Sequence, residues 1–234
     1  MNKEEFLIET KKIGINITKE QIDLLDKFYN LLIEWNEKIN LTTITDYEEV
    51  YLKHFYDSLT LFKEVDLNKD IKLCDVGSGA GFPGIVLKIC FPNLKITLVD
   101  SLQKRVNYLN EIIKELGLEN IEAIHTRMED FSRNNEEKYD VITARAVANL
   151  NVILEISIKA LKVNGYVVLM KANCEKELND CNSALSNLSC NIVNVNEFKL
   201  PIEDSKRTLI KIEKIKKTNS KYPRTIDKIK KYPL

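Results

Sequence analysis

The sequence predicts an α/β protein: a mostly parallel seven-stranded sheet with an antiparallel edge pair, preceded by an N-terminal helical segment. Three observations predict it. The first 60 or so residues repeat their apolar positions at helical spacing. From about residue 70, short apolar runs alternate with longer amphipathic ones, the rhythm of strands linked by crossover helices. After residue 190, two strand-like runs are joined by a connection too short for a helix, so they should pair antiparallel.

Taken in order, Ile22, Leu25, Phe28, Leu32, Trp35 and Ile39 fall on one face of a helix, and Thr18 with Gln21 supplies a capping box at its start. The poor helix formers from Asn40 to Asp46 break it, and Thr45 or Asp46 can cap a further helix running to about Phe62. Strands are expected at 71–76, 95–99, 121–125, 139–143 and 166–171, with helices near 83–91, 103–116, 149–161 and 175–188. The edge pair falls at 191–199 and 208–214, around Pro201. The last dozen residues read as an extended basic tail. The divisions expected are therefore a helical extension over 1–66, a sheet domain over 67–217 and a tail over 218–234.

Composition removes several classes. No apolar segment follows the first residues, so no secretory leader is expected. The longest apolar run, Tyr166–Met170, is far below the roughly 20 residues that span a bilayer. Five cysteines without a C-x-x-C pair suit a reducing, cytoplasmic setting, and two histidines make a metal site unexpected.

The run Cys74-Asp75-Val76-Gly77-Ser78-Gly79-Ala80-Gly81-Phe82-Pro83-Gly84 follows a strand and opens a helix. Its glycines permit a sharp turn and close approach of a ligand to the backbone. Asp100 ends the next strand, where a carboxylate can accept bonds from both hydroxyls of an adenosine ribose. Gly79, Gly81 and Gly84 also satisfy the dinucleotide pattern G-x-G-x-x-G. However, Asp75 would repel a pyrophosphate, whereas it can meet the ammonium of S-adenosylmethionine. No residues remain for a dehydrogenase's substrate domain. The pattern favours a methyltransferase.

Further motifs recur in a fixed order: Trp35-Asn36 with Asn40-Leu41-Thr42, His54-Phe55-Tyr56-Asp57-Ser58, Asp75 to Gly84, Asp100 to Arg105, Arg127-Met128-Glu129 and Arg145-Ala146-Val147-Ala148. From about residue 20 to Lys221-Tyr222-Pro223-Arg224, the chain resembles the small-subunit ribosomal RNA methyltransferase G family, also called glucose-inhibited division protein B. The resemblance implies a class I, Rossmann-like methyltransferase that uses S-adenosyl-L-methionine and leaves S-adenosyl-L-homocysteine. It implies guanine N7 of 16S rRNA as target, in the helix-18 loop near the decoding centre. The substrate would be naked 16S rRNA or the small ribosomal subunit, and the protein a cytoplasmic monomer needing no metal or membrane. Cofactor contacts carried over are Gly77, Phe82, Asp100, Met128, Glu129 and Arg145. Asp75, Gly79 and Leu102 join them from the loop and strand end. Glu129 also suits a helix start simply as a first-turn acid.

Absences agree with that target. There is no Asn-Pro-Pro-aromatic motif and no Pro-Cys nucleophile. Guanine N7 carries a free lone pair, so alignment could suffice. His54 and Asp57 lie three apart on one helix face. They either line the pocket or tie the N-terminal helices to the sheet domain, the second being slightly favoured. His125 reads as structural or exposed, and Lys104 and Arg105 as phosphate contacts or a solvated face. A methyltransferase for another RNA or a small molecule, or a non-catalytic assembly factor, are the competing readings.

Lys+Arg and Asp+Glu are 35 each, yet the zero is uneven. Residues 206–234 hold 11 basic and two acidic residues, a net of 11 − 2 = +9. The lysines of the last strand can be only its solvated face. The tail beyond it is the better candidate for phosphate contact. Truncation after Thr218 is expected to weaken RNA binding and spare cofactor binding.

Overall fold

A computed structural model describes all 234 residues. Helix α1 (Lys3–Lys12) and helix α2 (Lys19–Ile39) both begin in capping boxes, Asn2 with Glu5 and Thr18 with Gln21. The apolar stripe of α2 is buried at Ile22, Leu25, Phe28 and Leu32, while Trp35 and Ile39 are half-buried. Gln21 also reaches across to the sheet domain, where its Nε2 donates to the carbonyls of Ile89 and Cys90 at the end of a helix. Asn40 closes α2 in the left-handed region. Asp46, rather than Thr45, then caps α3 (Tyr47–Val50), accepting from Glu49 N–H. The chain runs on through a π-helical turn (Tyr51–Tyr56), α4 (Asp57–Leu59) and a 3-10 turn (Thr60–Lys63).

The sheet domain alternates β1 (Lys72–Val76), α5 (Gly84–Cys90), β2 (Lys95–Asp100), α6 (Gln103–Glu115), β3 (Ile121–His125), α7 (Met128–Asn134), β4 (Tyr139–Arg145), α8 (Leu150–Ser157) and β5 (Leu161–Lys171). Then follow α9 (Glu175–Asn179), α10 (Asn182–Leu188), β6 (Cys190–Lys199), β7 (Lys206–Lys214) and α11 (Ile226–Lys231). The seven strands lie in the order β3-β2-β1-β4-β5-β7-β6. The first five are parallel, and β7 is antiparallel to both β5 and β6. The carboxyl ends of β1 to β5 therefore share one edge with the start of β7, where Thr208 sits opposite Lys171.

Alternation along the strands feeds two cores. Leu73, Ile96, Leu98, Val141 and Val168 face a cluster that also contains Phe28 and Phe55 from the N-terminal helices. Cys74, Val76, Val99, Ile142 and Leu169 face the other, built with α7, α8 and α10. Helical segment and sheet thus share one apolar layer.

Several expectations are corrected. Strand β5 starts at Leu161, not 166: Leu161 pairs with Tyr139, the chain bulges through 162–165 with Asn164 at a left-handed φ of 64°, and pairing resumes at Tyr166 opposite Val141. The helix expected over 149–161 is α-helical only to Ser157 and tightens to a 3-10 turn over Ile158–Ala160. The helix expected over 175–188 divides at Asp180, whose carbonyl is taken by the Asn151 side chain. The tail is not extended. Tyr222 and Ile229 are buried in the second core and residues 226–231 are helical, because this segment finds an apolar socket on α8 and α10. Of the β7 lysines only Lys206 is a solvated one. Lys214 is fully buried and donates to the carbonyls of Ile158 and Leu161, and Lys211 donates to that of Glu64.

Candidate functional site

The loop between β1 and α5 lies at the carboxyl ends of the parallel strands, where open sheets of this kind hold their ligands. It is pinned from beneath: the N–H groups of Gly77 and Ser78 both reach the Val99 carbonyl, at 2.8 and 3.3 Å. Gly77 has φ +68°, and a Cβ there would lie 2.7 Å from Val147 Cγ2, in the loop that follows β4. At Gly84 a Cβ would lie 2.9 Å from Asp75 Oδ2 and would run into Leu98. Only glycine lets the helix start sit against the acid.

Asp75 is fully buried. Its Oδ2 accepts from Gly84 N–H at 3.0 Å, while Oδ1 has no partner. Burial pushes the carboxyl up to about 7, against the pull of Gly84 N–H, Ser78 and Arg145. A buried acceptor without a donor is costly unless a ligand supplies one. An ammonium group would do so, which is the end of S-adenosylmethionine expected here.

Asp100 is buried at the end of β2. Its Oδ2 accepts from Gly79 N–H (3.0 Å), its Oδ1 from Leu102 N–H (2.9 Å), and Arg105 lies 3.6 Å away. Asp100 thus ties the glycine loop to the start of α6, and a carboxylate retains further lone pairs for ribose hydroxyls. Leu102 is itself exposed and opens α6 through its carbonyl. Met128 and Glu129 begin α7, both buried, with Arg127 3.9 Å from Glu129. The strand before them, β3, pairs His125 with Asp100, so the adenine and ribose candidates follow adjacent strand ends. His125 is exposed, and its Nε2 lies 3.1 Å from the Ser101 carbonyl. Lys104 is exposed.

Phe82 lies in the expected loop, but its ring is not open to a ligand. It stacks on His54 (centroids 4.4 Å, 18°) and touches Phe28, so any cofactor contact must come from its backbone.

Arg145, at the end of β4, is gripped from the N-terminal helices. Its Nη1 donates to the Lys53 carbonyl (3.0 Å) and Asp57 Oδ2 (3.1 Å), and its Nη2 to His54 Nδ1 (3.0 Å). The guanidinium also lies 5.1 Å over the Phe82 ring. A guanidinium can only donate, so His54 Nδ1 accepts and its proton sits on Nε2, which donates to Thr42 Oγ1 at 3.0 Å. Burial, reinforced by the Arg145 charge, pushes the His54 imidazole down to about 3. It is neutral, its lone pair is spent, and it cannot take a proton from a substrate. His54 and Asp57 therefore do tie helices to sheet, and they do so through a candidate site residue.

One residue of this network was not singled out from sequence. Arg207, on β7, donates from Nε to Asp57 Oδ1 at 3.1 Å, so Asp57 bridges two arginines from strands that are not neighbours. Arg207 stood within the basic C-terminal stretch, and nothing in its spacing separated it from the lysines around it. The role of Thr42 had a signal: Asn36 Oδ1 accepts from the N–H groups of Leu41 and Thr42, so the Asn36 to Thr42 motif shapes the turn that presents Thr42 to His54.

The titration of Asp75 gives a pH test. Its folded value, about 7, exceeds the ordinary 3.8, so the folded state holds this proton more tightly. The burial then costs nothing below the ordinary value, and its cost grows as pH rises towards 7. A cationic ligand group needs the carboxylate, so affinity runs the other way. Binding of S-adenosylhomocysteine, measured by calorimetry, should strengthen roughly tenfold from about pH 6 to about pH 8. Asp75→Asn should bind weakly with a flat profile; a flat wild-type profile would contradict the role of Asp75.

Similarity to known proteins agrees with this geometry. The family model described as rRNA small subunit methyltransferase G matches residues 21–210. Ribosomal RNA small subunit methyltransferase G of Lysinibacillus sphaericus is 49% identical over 96% of this chain and 95% of its own length. The Bacillus subtilis protein of the same name is 48% identical with the same coverage. Among solved structures, a SAM-dependent methyltransferase from Aquifex aeolicus matches 78% of this chain and 98% of its own, with TM-score 0.54 at 18% identity. That likeness shows the fold, a class I methyltransferase sheet. With a family match across most of the chain and relatives near half identity over almost all of it, the protein belongs to the rRNA small subunit methyltransferase G family.

Proposed function

We propose that the protein transfers a methyl group from S-adenosylmethionine to N7 of a guanine in 16S rRNA, in the helix-18 loop beside the decoding centre, as a cytoplasmic monomer. Methyl transfer to small-subunit rRNA follows from its family. The finer reading rests on one observation: among the side chains gathered around Arg145, Asp75 Oδ1 is the buried acceptor with no hydrogen-bond donor. His54 has spent its lone pair on Arg145, and both Asp57 oxygens are held by arginines. Asp75 Oδ1 is the atom that suits the cofactor's ammonium.

When bound, the cofactor supplies an electrophilic methyl group on a positively charged sulfur. Transfer from that sulfur to guanine N7 would use a lone pair already free, leaving a neutral thioether and a cationic N7-methylguanine, so no residue has to move a proton. The protein's own work is then alignment and exclusion of water. Asp75 and Arg145 orient the amino-acid end, Asp100 holds the ribose, and Glu129 with the Met128 backbone reads the adenine edge. The helical segment before residue 66 positions Arg145 through His54 and Asp57.

Nucleotide-resolution mapping of N7-methylguanosine in 16S rRNA from a deletion strain tests this. The helix-18 modification should vanish and return with the wild-type gene; its persistence would overturn the reading. Offering 30S subunits, naked 16S rRNA and tRNA in vitro identifies the form of the substrate.

A further inference from the structure

We propose that residues 218–234 form a rigid basic strap that grips the phosphate backbone of the RNA beside the site; this inference rests on the rRNA reading above. The strap is anchored along its whole length. Tyr222 and Ile229 are buried in the second core, and Tyr222 Oη donates to Asn187 Oδ1 on α10 at 3.1 Å. Arg133 on α7 donates to the carbonyls of Pro223 (2.9 Å) and Arg224 (3.1 Å). Arg224 in turn forms a forked pair with Glu155 on α8, at 2.7 and 2.6 Å. At the far end, Asn151 Nδ2 donates to the Leu234 carbonyl at 2.6 Å. Asn151 stands at the start of α8, which follows the Ala146 to Asn149 loop leaving Arg145. The strap therefore climbs from the foot of β7 to the rim of the candidate site.

Its charges divide into two groups. Arg224 is an internal strut. Lys221, Lys228, Lys230 and Lys231 are exposed, and none has a carboxylate within 4.0 Å. The strap carries one acid, Asp227, against these four lysines. The surface beneath does not balance them: α10 has no charged residue, the one acid of α8, Glu155, is fully buried and neutralised by Arg224, and exposed Asp130 on α7 is held by Arg133. Acids do occur at the rim, on α9, where Glu177 is held by Lys171. Asp227 stands four residues before Lys231 on α11, the spacing of a solvated helix pair, yet no carboxylate comes within 4.0 Å of any of the four lysines, so one acid faces a surplus of cations. Four exposed cations without a carboxylate partner, two of them resting over tyrosine rings (Lys221 on Tyr222, Lys231 on Tyr232), on a backbone already fixed in place match a polyanion, since binding need not order the chain and releases counterions from phosphate.

The docking also changes the proper experiment. Deleting the strap would leave Glu155 buried and unpaired, so a truncated protein reports on folding as well as on RNA. The informative variant is Lys221→Gln, Lys228→Gln, Lys230→Gln and Lys231→Gln together, with Tyr222, Arg224 and Ile229 kept. Its thermal midpoint and S-adenosylhomocysteine affinity should equal the wild type's. Binding to 16S rRNA should weaken about tenfold or more at moderate salt, and the slope of log K against log salt should shallow by about 3, from four contacts at ~0.7–0.9 each. Methylation should show a raised KM for RNA with kcat kept. A control variant, Lys11→Gln, Lys19→Gln, Lys72→Gln and Lys95→Gln, removes as many exposed charges elsewhere. An unchanged slope in the strap variant, or an equal change in the control, would overturn the proposal. If the wild-type protein bound rRNA yet methylated none of it, the function reading would fall, and the salt slopes would still decide the strap.

Discussion

Arg145→Ala is expected to reduce methyl transfer about a hundredfold or more, equivalent to about 2.7 kcal/mol of barrier. This one guanidinium satisfies three acceptors, the Lys53 carbonyl, Asp57 and His54 Nδ1, the last two on buried side chains. It also supplies the positive charge beside Asp75. Without it, His54 loses its donor and Asp57 is left with Arg207 alone, each loss costing roughly 1–3 kcal/mol. The π-helical turn then loses its tie to β4, and the floor of the cofactor site loses its partner. S-adenosylhomocysteine affinity should drop as well, by roughly tenfold. Arg145→Lys keeps the charge but cannot reproduce the fork, so it should recover only part of the activity. Steady-state rates on the rRNA substrate, with calorimetric binding in parallel, check this. A turnover within a few fold of wild type in Arg145→Ala would show that the network is dispensable.

The second large effect is on stability. Arg224→Ala should cost about 3–5 kcal/mol, because the fully buried Glu155 carboxylate keeps only the backbone N–H of residue 224 and loses the Nε and Nη2 donors. For a chain of this length that corresponds to a fall in Tm of roughly 6–20 °C. Glu155→Gln should cost less, since the freed guanidinium is partly exposed and water can solvate it. Calorimetric melting of both variants tests the asymmetry. Equal losses would mean that the carboxylate is relieved by protonation or local opening. Either outcome separates the strut from the four lysines that flank it.

Much of the fold was legible because it depends on local periodicity. The strand expected at 95–99 runs Lys95–Asp100, and the strand at 121–125 and the capping box at Thr18 lie where the pattern of residues puts them. The pair after residue 190 is antiparallel because its connection is too short for anything else. Where a strand is interrupted, as over 162–165, periodicity loses the signal, and pairing with β4 on either side, at Leu161 and from Tyr166 onward, holds the strand together. The placement of the glycine loop, Asp75 and Asp100 at the carboxyl ends of the strands was legible for a related reason. Strand end, glycine turn and helix start follow one another in contiguous residues.

The sequence by itself determined the parallel sheet with its antiparallel edge pair, the order of its elements and the family. Each of these is written in contiguous residues or in short spacings that local geometry converts directly into structure. Tertiary structure alone decided which charges are available. It tied Arg207 to Asp57 across 150 positions, spent the His54 lone pair on Arg145 and buried Lys214. It also turned an apparent basic tail into a strap with one structural arginine and four free lysines. The physical reason is that a charge's role depends on its partners and its burial, and both are set by residues far away along the chain.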